Sequence, residues 1–491
     1  MPSTERVSTA SEGLDVVLGG GLPRNRLYLI EGDPGTGKTT LALKFLLQGI
    51  GLGERGLYVA LSETKEELQA VADSHGWDLA GVDIYELAPE DVQSNGQSTV
   101  FHPSELELGA AMKALLEHVE RTRPVRVVFD SISEMRLLAG SALRYRRQIL
   151  AMKQFFSGRG STVLLLDDRT VEGPDLQLQS IAHGVITLHT RAPEYGGARR
   201  QLRVMKLRGV DFQAGYHDYA IEPGGLRVFP RLVAAEHGQP ISEEMVASGV
   251  LALDALFGGG LARGTTTLFL GPAGSGKSLV AAQVAGAAAR RGESIAFYLF
   301  DEGLDTFLRG TAGIGVDLRD HIDAGRVTIQ PINPAELSPG RFVHVVRDAV
   351  ERRRVSVVVI DSLNGYMNAM PDERLLTTHL HELFAYLRRS GVLTLAVMTQ
   401  HGLVGSMQTA VDVSYLADTV VLLRYFEARG AVRKAISMMK KRASKHEAMI
   451  RELSIDDRGI HVGNPLHDFR GILMGVPDFV GGTLAQGHDN R

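Results

Sequence analysis

The feature that most constrains this 491-residue chain is a repeat of its own sequence. Residues 15–40 read DVVLGGGLPRNRLYLIEGDPGTGKTT, and residues 254–279 read DALFGGGLARGTTTLFLGPAGSGKSL. Matching positions in these segments lie 239 residues apart, and later landmarks keep offsets of 231 and 234 residues. Fixed landmarks with small length changes between them are typical of two copies of one fold. We therefore predict two homologous domains, 1–238 and 239–491.

Composition narrows the chemistry that such a chain can perform. It has no cysteine, which excludes a disulfide scaffold, a zinc–thiolate site and a cysteine nucleophile. The net charge of −4 gives no global reason to bind nucleic acid. The chain has no uncharged apolar stretch of about 18 residues, and the start MPSTERVSTASEG lacks the apolar run of a secretory signal. We expect a cytoplasmic protein without a membrane segment.

Short apolar runs alternate with longer segments of helical spacing, such as Arg144–Phe156. Nearly continuous apolar runs suit strands that are buried on both faces of a parallel sheet. The runs are Leu27–Ile30, Leu57–Leu61, Val125–Phe129, Val163–Leu166 and Val185–Leu188 in the first copy, and Thr267–Leu270, Ile295–Leu299, Val355–Ile360, Leu393–Met398 and Val420–Leu423 in the second. Their alternation predicts an α/β fold with helices on both faces of the sheet.

Each copy carries a phosphate loop, G-x-x-x-x-G-K-[ST], between an apolar strand and a helical stretch, as this motif requires. Its glycines let backbone N–H groups surround phosphate oxygens, and the helix N-terminus adds partial positive charge. We predict that Lys38 and Lys277 reach the β- and γ-phosphates. A glycine-rich structural turn is the alternative, which recurrence at one offset disfavours. The predicted nucleotide-binding residues of the loops are Gly32, Gly35, Thr36, Gly37, Lys38, Thr39 and Thr40, and Gly271, Gly274, Ser275, Gly276, Lys277, Ser278 and Leu279.

A magnesium site is predicted next to each loop. The hydroxyl that follows each lysine, Thr39 or Ser278, is expected to bind Mg²⁺ directly. Asp130 ends the apolar run VRVVFD and Asp361 ends VSVVVID, which suits a second magnesium anchor. The alternative is an aspartate that only caps the helix after its strand.

Carboxylates after the second strand of each copy are candidates for the general base. Glu63 follows Ser62 in the first copy, and Asp301 and Glu302 are adjacent in the second. Such a group would orient and deprotonate water or a hydroxyl near the γ-phosphate. Helix capping is the alternative, and the segment 64–67 fits a capping box.

Basic residues recur near the end of each copy. Lys206, Leu207 and Arg208 stand in the first copy where Lys440 and Arg442 stand in the second. In a ring of such domains, they could reach the γ-phosphate bound by a neighbouring subunit, as arginine fingers do. A solvated basic strand is the alternative.

Together these motifs resemble the KaiC family within the RecA-like ATPases, over about residues 8–480. The shared features are GGGL before each strand, both phosphate loops, the strand-end carboxylates, V-V-h-D-S, the K-x-R segments and the phrase SHGWD at 74–78. The resemblance implies two tandem RecA-like P-loop NTPase domains, each a mainly parallel twisted sheet flanked by helices. It implies a two-tiered homohexameric ring that binds ATP and Mg²⁺ at subunit interfaces, with Ser74 among the nucleotide-binding residues.

The resemblance also implies a division of labour, with an ATPase tier and a tier that phosphorylates hydroxyl groups of the adjacent subunit. Ser414 matches the serine acceptor of the family, and Thr409 matches a third hydroxyl position. Tyr415 stands where cyanobacterial clock proteins carry threonine. Gln179 and Ser180 occupy this register in the first copy, which fits a domain that does not phosphorylate itself.

Two features depart from the family pattern. The family has two adjacent glutamates in each domain. In the first domain Ser62 replaces one of them and leaves Glu63 as the one carboxylate of the pair, and in the second domain Asp301 replaces a glutamate with a side chain that is one methylene shorter. The ending VGGTLAQGHDNR is short and polar. The clock proteins recruit KaiA through a longer tail, so we do not expect KaiA to bind. A KaiB-like protein or another signalling protein is the expected partner.

Three functions remain open from the sequence. The first is a hexameric ATPase and serine/threonine autokinase that acts as a regulatory timer or signalling phosphoprotein. The second is an ATP-assembled scaffold without kinase activity. The third is a RecA- or DnaB-like DNA-dependent ATPase, which the charge of −4 disfavours.

Overall fold

The structure is a computed structural model, which describes residues 5–86, 103–169, 176–193, 196–233, 244–368, 373–402, 413–442, 445–474 and 478–480. The chain divides into two compact units, Met1–Arg231 and Leu232–Arg491, here called domain 1 and domain 2. The boundary that we predict between residues 238 and 239 falls outside the described residues.

The described part of domain 1 contains eleven strands, of which nine form one sheet and the first two pair separately. Its strands are β1 (Arg6–Val7), β2 (Leu22–Pro23), β3 (Leu27–Gly32), β4 (Gly56–Ala60), β5 (Val82–Glu86), β6 (Arg126–Asp130), β7 (Thr162–Asp168), β8 (Gly184–Arg191), β9 (Arg199–Leu207), β10 (Tyr216–Glu222) and β11 (Gly225–Phe229). Its helices are α1 (Glu12–Val17), α2 (Lys38–Gly51), α3 (Lys65–Ser74), α4 (Pro103–Thr122), α5 (Ile132–Leu138), α6 (Ala142–Ser157) and α7 (Leu176–Ile181). The sheet order is β11-β10-β9-β8-β3-β7-β6-β4-β5.

Domain 2 repeats this architecture. Its strands are β12 (Met245–Val246), β13 (Leu261–Ala262), β14 (Thr266–Gly271), β15 (Ile295–Leu299), β16 (Val327–Pro331), β17 (Val357–Asp361), β18 (Leu393–Thr399), β19 (Thr419–Ala428), β20 (Ala431–Lys441), β21 (Arg451–Asp456), β22 (Gly459–Pro465), β23 (Phe469–Arg470) and β24 (Asp478–Phe479). Its helices are α8 (Leu251–Leu256), α9 (Lys277–Arg290), α10 (Leu304–Ala312), α11 (Arg319–Asp323), α12 (Pro339–Arg353), α13 (Leu363–Asn368) and α14 (Glu373–Arg389), and a 3-10 turn spans Ile472–Met474. The sheet order is β16-β15-β17-β18-β14-β19-β20-β21-β22.

The predicted α/β fold is confirmed in both domains. Six strands of each sheet run parallel, and three antiparallel strands extend it beyond β8 or β19. Alternate residues of the central strand β3 enter different cores: Leu27 and Leu29 join one apolar cluster, and Tyr28 and Ile30 join the other. A strand that is buried on both faces is what its continuous apolar run predicts.

The parallel arrangement places the candidate residues at one edge of each sheet. Strands β3, β7, β6 and β4 all end at the same edge, because parallel neighbours point their carboxyl ends in one direction. The loop before α2 and the residues after β4, β6 and β7 therefore surround one crevice. Within the described part of the chain, no helix has both the length and the apolar character needed to cross a membrane.

Candidate functional site

The phosphate loop of each domain ends on a glycine in a left-handed conformation. Gly37 precedes α2 with φ of 92°, and Gly276 precedes α9 with φ of 101°. A Cβ atom at Gly37 would lie 2.8 Å from the Ile221 side chain, and one at Gly276 would lie 2.4 Å from Ile455. Conformation and space therefore both require glycine at these positions, which keeps the helix N-terminus open toward the crevice.

The hydroxyl groups inside the loops fold back onto the loop backbone. Thr36 Oγ1 donates to the Asp33 carbonyl over 2.8 Å, and Ser275 Oγ donates to the Pro272 carbonyl over 2.9 Å. From the far side of domain 1, Tyr219 donates its hydroxyl to the Thr36 carbonyl over 2.7 Å. The loop is thus held in shape by its own protein contacts. Thr40 and Leu279 lie in the first turns of α2 and α9, behind the loops.

The loop lysine of domain 1 is surrounded by oxygen atoms. Lys38 Nζ lies 2.7 Å from the Gly32 carbonyl, 3.1 Å from the Asp33 carbonyl and 2.6 Å from Asp168 Oδ1. The Lys38 side chain is only 5% exposed. Its charge is therefore directed toward the inside of the loop, where phosphate would lie.

The loop lysine of domain 2 has a different environment. Lys277 Nζ donates to the Pro272 carbonyl over 2.6 Å. Burial lowers its pKa to about 8, against a smaller opposing effect of the Asp361 charge. An anionic phosphate would counteract this desolvation, so the buried ammonium is suited to an anionic ligand.

The predicted magnesium residues of domain 1 are in contact. Thr39 Oγ1 donates to Asp130 Oδ2 over 2.9 Å. The same carboxylate oxygen accepts a hydrogen bond from the buried Tyr58 hydroxyl. Burial raises the pKa of Asp130, while these two hydroxyl donors lower it. A hydroxyl paired with a carboxylate at the helix start is the arrangement in which P-loop enzymes hold Mg²⁺.

The same pairing recurs in domain 2. Asp361 is hydrogen-bonded by the Ser278 hydroxyl, and burial raises the pKa of this carboxyl to about 6. A bound cation would offset the desolvation of its charge, which fits a magnesium anchor. Among the described residues, no three His, Asp or Glu side chains cluster into a metal site.

Glu63 stands at the entrance of the domain 1 crevice. Burial raises its pKa to about 7, and the charges of Asp130, Glu67 and Asp168 add to this increase, against the opposing charge of Lys38. Its Oε2 atom is buried without a hydrogen-bond partner. A buried carboxylate oxygen with a pKa near neutrality is suited to accept a proton.

The two carboxylates of domain 2 are more exposed. Asp301 accepts a hydrogen bond from the Ser362 hydroxyl, directly after Asp361. Burial raises the pKa of Glu302. Ser362 therefore engages one carboxylate of the pair. In domain 1, the equivalent Ser131 is instead hydrogen-bonded to Ser133.

The capping alternative applies to neighbouring residues. Thr64 accepts from the backbone N–H of Glu67, and Glu67 accepts in return from the backbone N–H of Thr64, so the predicted capping box is present. Glu63 lies outside this box. Ser74 ends α3, is exposed, and donates its hydroxyl to the Val71 carbonyl over 2.7 Å; its role in nucleotide binding stays a prediction.

The K-x-R residues contact carbonyl groups of their own domain. Lys206 donates to the Gln179 carbonyl, and Arg208 donates to the Ser180 carbonyl over 2.8 Å. Leu207 between them is buried. The pairing of Lys206 with Val185 puts these residues near the amino-terminal end of β8, away from the phosphate loop of the same domain. The predicted reach to a neighbouring subunit stays a prediction.

The corresponding pair in domain 2 holds the predicted acceptor. Lys440 Nζ donates to the carbonyls of Ser414 and Ala417 over 3.0 and 2.8 Å, and Arg442 donates to the Tyr415 carbonyl over 2.8 Å. Ser414 is half-buried in this turn, whereas Tyr415 is exposed. Thr409, the third predicted hydroxyl position, lies outside the described residues.

Two residues beside the domain 1 site are absent from our sequence predictions. Asp168 contacts Lys38, and Tyr58 contacts Asp130. A signal for Asp168 was available, because the run VLLLDD ends in aspartates as VRVVFD does. Tyr58 gave no such signal, since a tyrosine within an apolar strand is normally a core residue.

Comparison with known proteins places these sites in a family. A family model described as "ATPase: KaiC" matches residues 7–233 and again residues 246–467. The chain is 26% identical over 483 residues to the circadian clock protein KaiC3 of Synechocystis sp., covering 96% of this chain and 94% of the relative. It is 27% identical over 481 residues to the circadian clock oscillator protein KaiC of Synechococcus elongatus, covering 96% and 92%. The KaiC of Thermosynechococcus vestitus is 27% identical over 482 residues, with the same coverage of 96% and 92%.

Proposed function

This chain belongs to the KaiC family of ATPases, and we propose that it is an ATP-hydrolysing, self-phosphorylating ring. In this proposal six chains form two stacked tiers, domain 1 hydrolyses ATP, and domain 2 phosphorylates Ser414 of the adjacent subunit. The carrying observation is that domain 2 combines a phosphate loop, in which Lys277 is buried and Ser278 is hydrogen-bonded to Asp361, with a serine turn held by Lys440 and Arg442. Because its relatives are named as circadian clock proteins, we propose a role as a regulatory timer or signalling phosphoprotein, read by a KaiB-like or other signalling protein.

The loop residues supply the binding part of the mechanism. Backbone N–H groups at the starts of α2 and α9 would surround the phosphates, and Lys38 and Lys277 would neutralise their β- and γ-oxygens. Thr39 with Asp130, and Ser278 with Asp361, would hold Mg²⁺. When bound, Mg²⁺ supplies charge neutralisation on the phosphate oxygens.

Domain 1 supports hydrolysis. Glu63 has the raised pKa and the unpartnered buried oxygen of a proton acceptor. It would orient a water molecule in line with the γ-phosphorus and take its proton, while the bond from that phosphorus to the β–γ bridging oxygen breaks. Lys206 and Arg208 of the neighbouring subunit would neutralise charge on the γ-phosphate.

Domain 2 supports phosphoryl transfer. The Ser414 oxygen would form a bond to the γ-phosphorus of the ATP held by the adjacent subunit, and the bond to the β–γ bridging oxygen would break. The hydroxyl proton passes to Glu302, and ADP leaves. Asp301 is engaged by the Ser362 hydroxyl, so we give it a polarising role beside Glu302. The products are phosphoserine and ADP.

Mass spectrometry of the full chain after incubation with Mg·ATP tests the proposal. We expect phosphate on Ser414, at least a tenfold loss of total incorporation in Ser414→Ala, and unchanged hexamers on sedimentation. Tyr415→Phe is the matched control, and it should retain labelling. Undiminished incorporation in Ser414→Ala would disprove the acceptor assignment, and no incorporation in the natural chain would favour the ATP-assembled scaffold. DNA-stimulated turnover that falls steeply with salt would instead support the DNA-dependent ATPase.

A further inference from the structure

The loop lysine of domain 1 has all its hydrogen-bonding capacity in use. A lysine ammonium has three N–H donors, and Lys38 faces three acceptors: the carbonyls of Gly32 and Asp33 and the carboxylate of Asp168. The shortest of these contacts, 2.6 Å, is the ion pair with Asp168. A phosphate that binds Lys38 must therefore take the place of at least one protein oxygen.

Asp168 lies beside the start of the phosphate loop, next to the lysine that is predicted to reach the β- and γ-phosphates. It is the last residue of β7 and pairs in register with Gly32, the first residue of the phosphate loop. Its side chain is 28% exposed, so it lies at the mouth of the crevice rather than in the core. The charge of Asp168 also raises the pKa values of the candidate base Glu63 and of the predicted magnesium anchor Asp130, so Asp168 lies close to both carboxyl groups.

In domain 2, the described residue at the position of Asp168 carries no charge. The residue that pairs with Gly271 is Thr399, whose backbone N–H donates to Asn364 Oδ1 over 2.7 Å. Lys277 donates to the Pro272 carbonyl. Across the residues that the structure describes, no carboxylate forms an ion pair with Lys277. The two loops share a backbone architecture, but the lysine that would bind phosphate is ion-paired to a carboxylate in domain 1 and bound to a backbone carbonyl in domain 2.

We propose that Asp168 is a carboxylate latch that holds Lys38 in nucleotide-free domain 1 and competes with the γ-phosphate for it. The proposal rests on the nucleotide site proposed above. Phosphate must break a charge-assisted contact in domain 1 but not in domain 2, so the two tiers bind ATP with different affinities. ATP places one more phosphate beside Asp168 than ADP does, and the latch therefore disfavours ATP more than ADP.

The test measures binding of fluorescent ATP and ADP analogues, with Mg²⁺, to the full chain carrying Lys277→Ala. Hydrogen bonds to charged groups are strong enough that Asp168→Asn should tighten ATP binding by about tenfold or more. ADP binding should tighten less. Asp33→Asn is the matched control, because it removes a charge from the same loop while Lys38 keeps its contact with the Asp33 carbonyl. Its effect on ATP affinity should be several-fold smaller.

A reciprocal variant keeps the test independent of how Asp168 variants fold. In the full chain carrying Lys38→Ala, Thr399→Asp should weaken ATP binding to domain 2 by a similar factor. Unchanged or weaker ATP binding in both Asp168→Asn and Asp168→Thr would overturn the latch, and so would an unaffected Thr399→Asp. If ATP binding is lost when Lys38→Ala is added to Lys277→Ala and yet stays unchanged in Asp168→Asn, the nucleotide sites exist and the latch does not. If those two lysine changes have no effect on binding, the proposed function itself is wrong.

Discussion

Domains 1 and 2 share a strand order, yet a row of side chains beneath their phosphate loops differs completely. The row crosses the three central strands in register, one residue before the loop begins. It consists of Thr187, Glu31 and Asp167 in domain 1, and of Leu422, Leu270 and Met398 in domain 2. An apolar row needs only neighbours to pack against, whereas buried carboxylates need donors.

Domain 1 supplies those donors from elements outside the central strands. Gln179 Nε2 on α7 donates to both Glu31 oxygens over 3.1 and 2.9 Å, and Arg136 on α5 lies 2.8 Å from Asp167. The Gln179 carbonyl in turn accepts from Lys206. Gln179 thus links the strand that enters the phosphate loop to Lys206, one of the predicted finger residues. In domain 2, the side chain of Leu270 has no polar atom, so it cannot form the equivalent hydrogen bond with the turn that Lys440 contacts. The same backbone architecture can therefore connect the phosphate-loop strand to the basic segment near the end of the domain, or leave the two unconnected, depending on the side chains in this one row.

The largest expected difference concerns the general base. Glu63→Gln should lower hydrolysis by domain 1 about 100- to 10,000-fold, because the residue beside Glu63 is Ser62 and not a second carboxylate. Asp301→Asn should cost domain 2 much less, since Glu302 remains. Steady-state ATP turnover measures each domain in turn, with the other silenced by Lys277→Ala or Lys38→Ala. Equal losses in the two domains would remove this part of the comparison.

A second difference lies in stability. Arg126, the first residue of β6, is 1% exposed. It donates to Glu54 over 2.6 Å and to the carbonyls of Phe45 and Ser8 over 2.7 and 3.0 Å. The equivalent strand of domain 2 starts with the apolar Val357. Arg126→Met strands these buried acceptors and should lower the unfolding free energy of domain 1 by about 3–5 kcal/mol.

Hydrogen exchange read separately on β6 and β17 checks this effect. Protection should fall in β6 and stay unchanged in β17. Arg24→Met is the control, because Arg24 also contacts Glu54 but is 25% exposed, and it should have a smaller effect. Equal protection of β6 in the natural chain and in Arg126→Met would mean that the buried arginine contributes nothing to domain 1.

The pH dependence of hydrolysis should show the raised pKa of Glu63. Its value of about 7 means that the carboxyl is protonated, and inactive as a base, below neutrality. For domain 1 in the Lys277→Ala chain, kcat/KM should rise about tenfold per pH unit up to about 7 and then level off, because kcat/KM reports the free enzyme. Glu63→Gln should abolish this rise, and a flat profile in the parent chain would exclude Glu63 as the base.

The smallest expected effect comes from Tyr58, whose counterpart at the same place in β15 is Phe297. Tyr58→Phe removes one hydroxyl donor from Asp130. Loss of about 1 kcal/mol should raise the Mg²⁺ concentration needed for half-maximal turnover about fivefold. Titration of Mg²⁺ at saturating ATP measures it, with ATP binding in EDTA as the reference that should not change. A shift in both measurements would indicate a general disturbance of the site instead.

Features that depend on local sequence could be predicted. The phosphate loops, the strand-ending Asp130 and Asp361, and the capping box at Thr64 each need only a few consecutive residues, and the structure contains them. The repeat then made chance matches to the phosphate-loop motif much less plausible. Strand β9 also had a usable local signal, because its buried and exposed residues alternate, but our predictions covered only the continuous runs.

Features that depend on strand order could not be predicted. The contact of Lys38 with Asp168 exists because β3 and β7 are neighbours in the sheet, although β4, β5 and β6 lie between them in the chain. The hydrogen bonds between Glu31 and Gln179 likewise require the packing of α7 against the central strand. Neither the spacing nor the residue types of these pairs indicate that they meet.

The contacts of Lys440 and Arg442 with the turn at Ser414 have a consequence for how such proteins diverge. These two side chains bind carbonyl oxygens, which every amino acid provides. Lys206 and Arg208 bind the carbonyls of Gln179 and Ser180 in the same manner. Recognition of the main chain does not constrain which side chain the position carries. Under the proposed function, an acceptor hydroxyl could therefore be gained or lost at this turn by a single codon change, without altering the contacts that hold the turn in place.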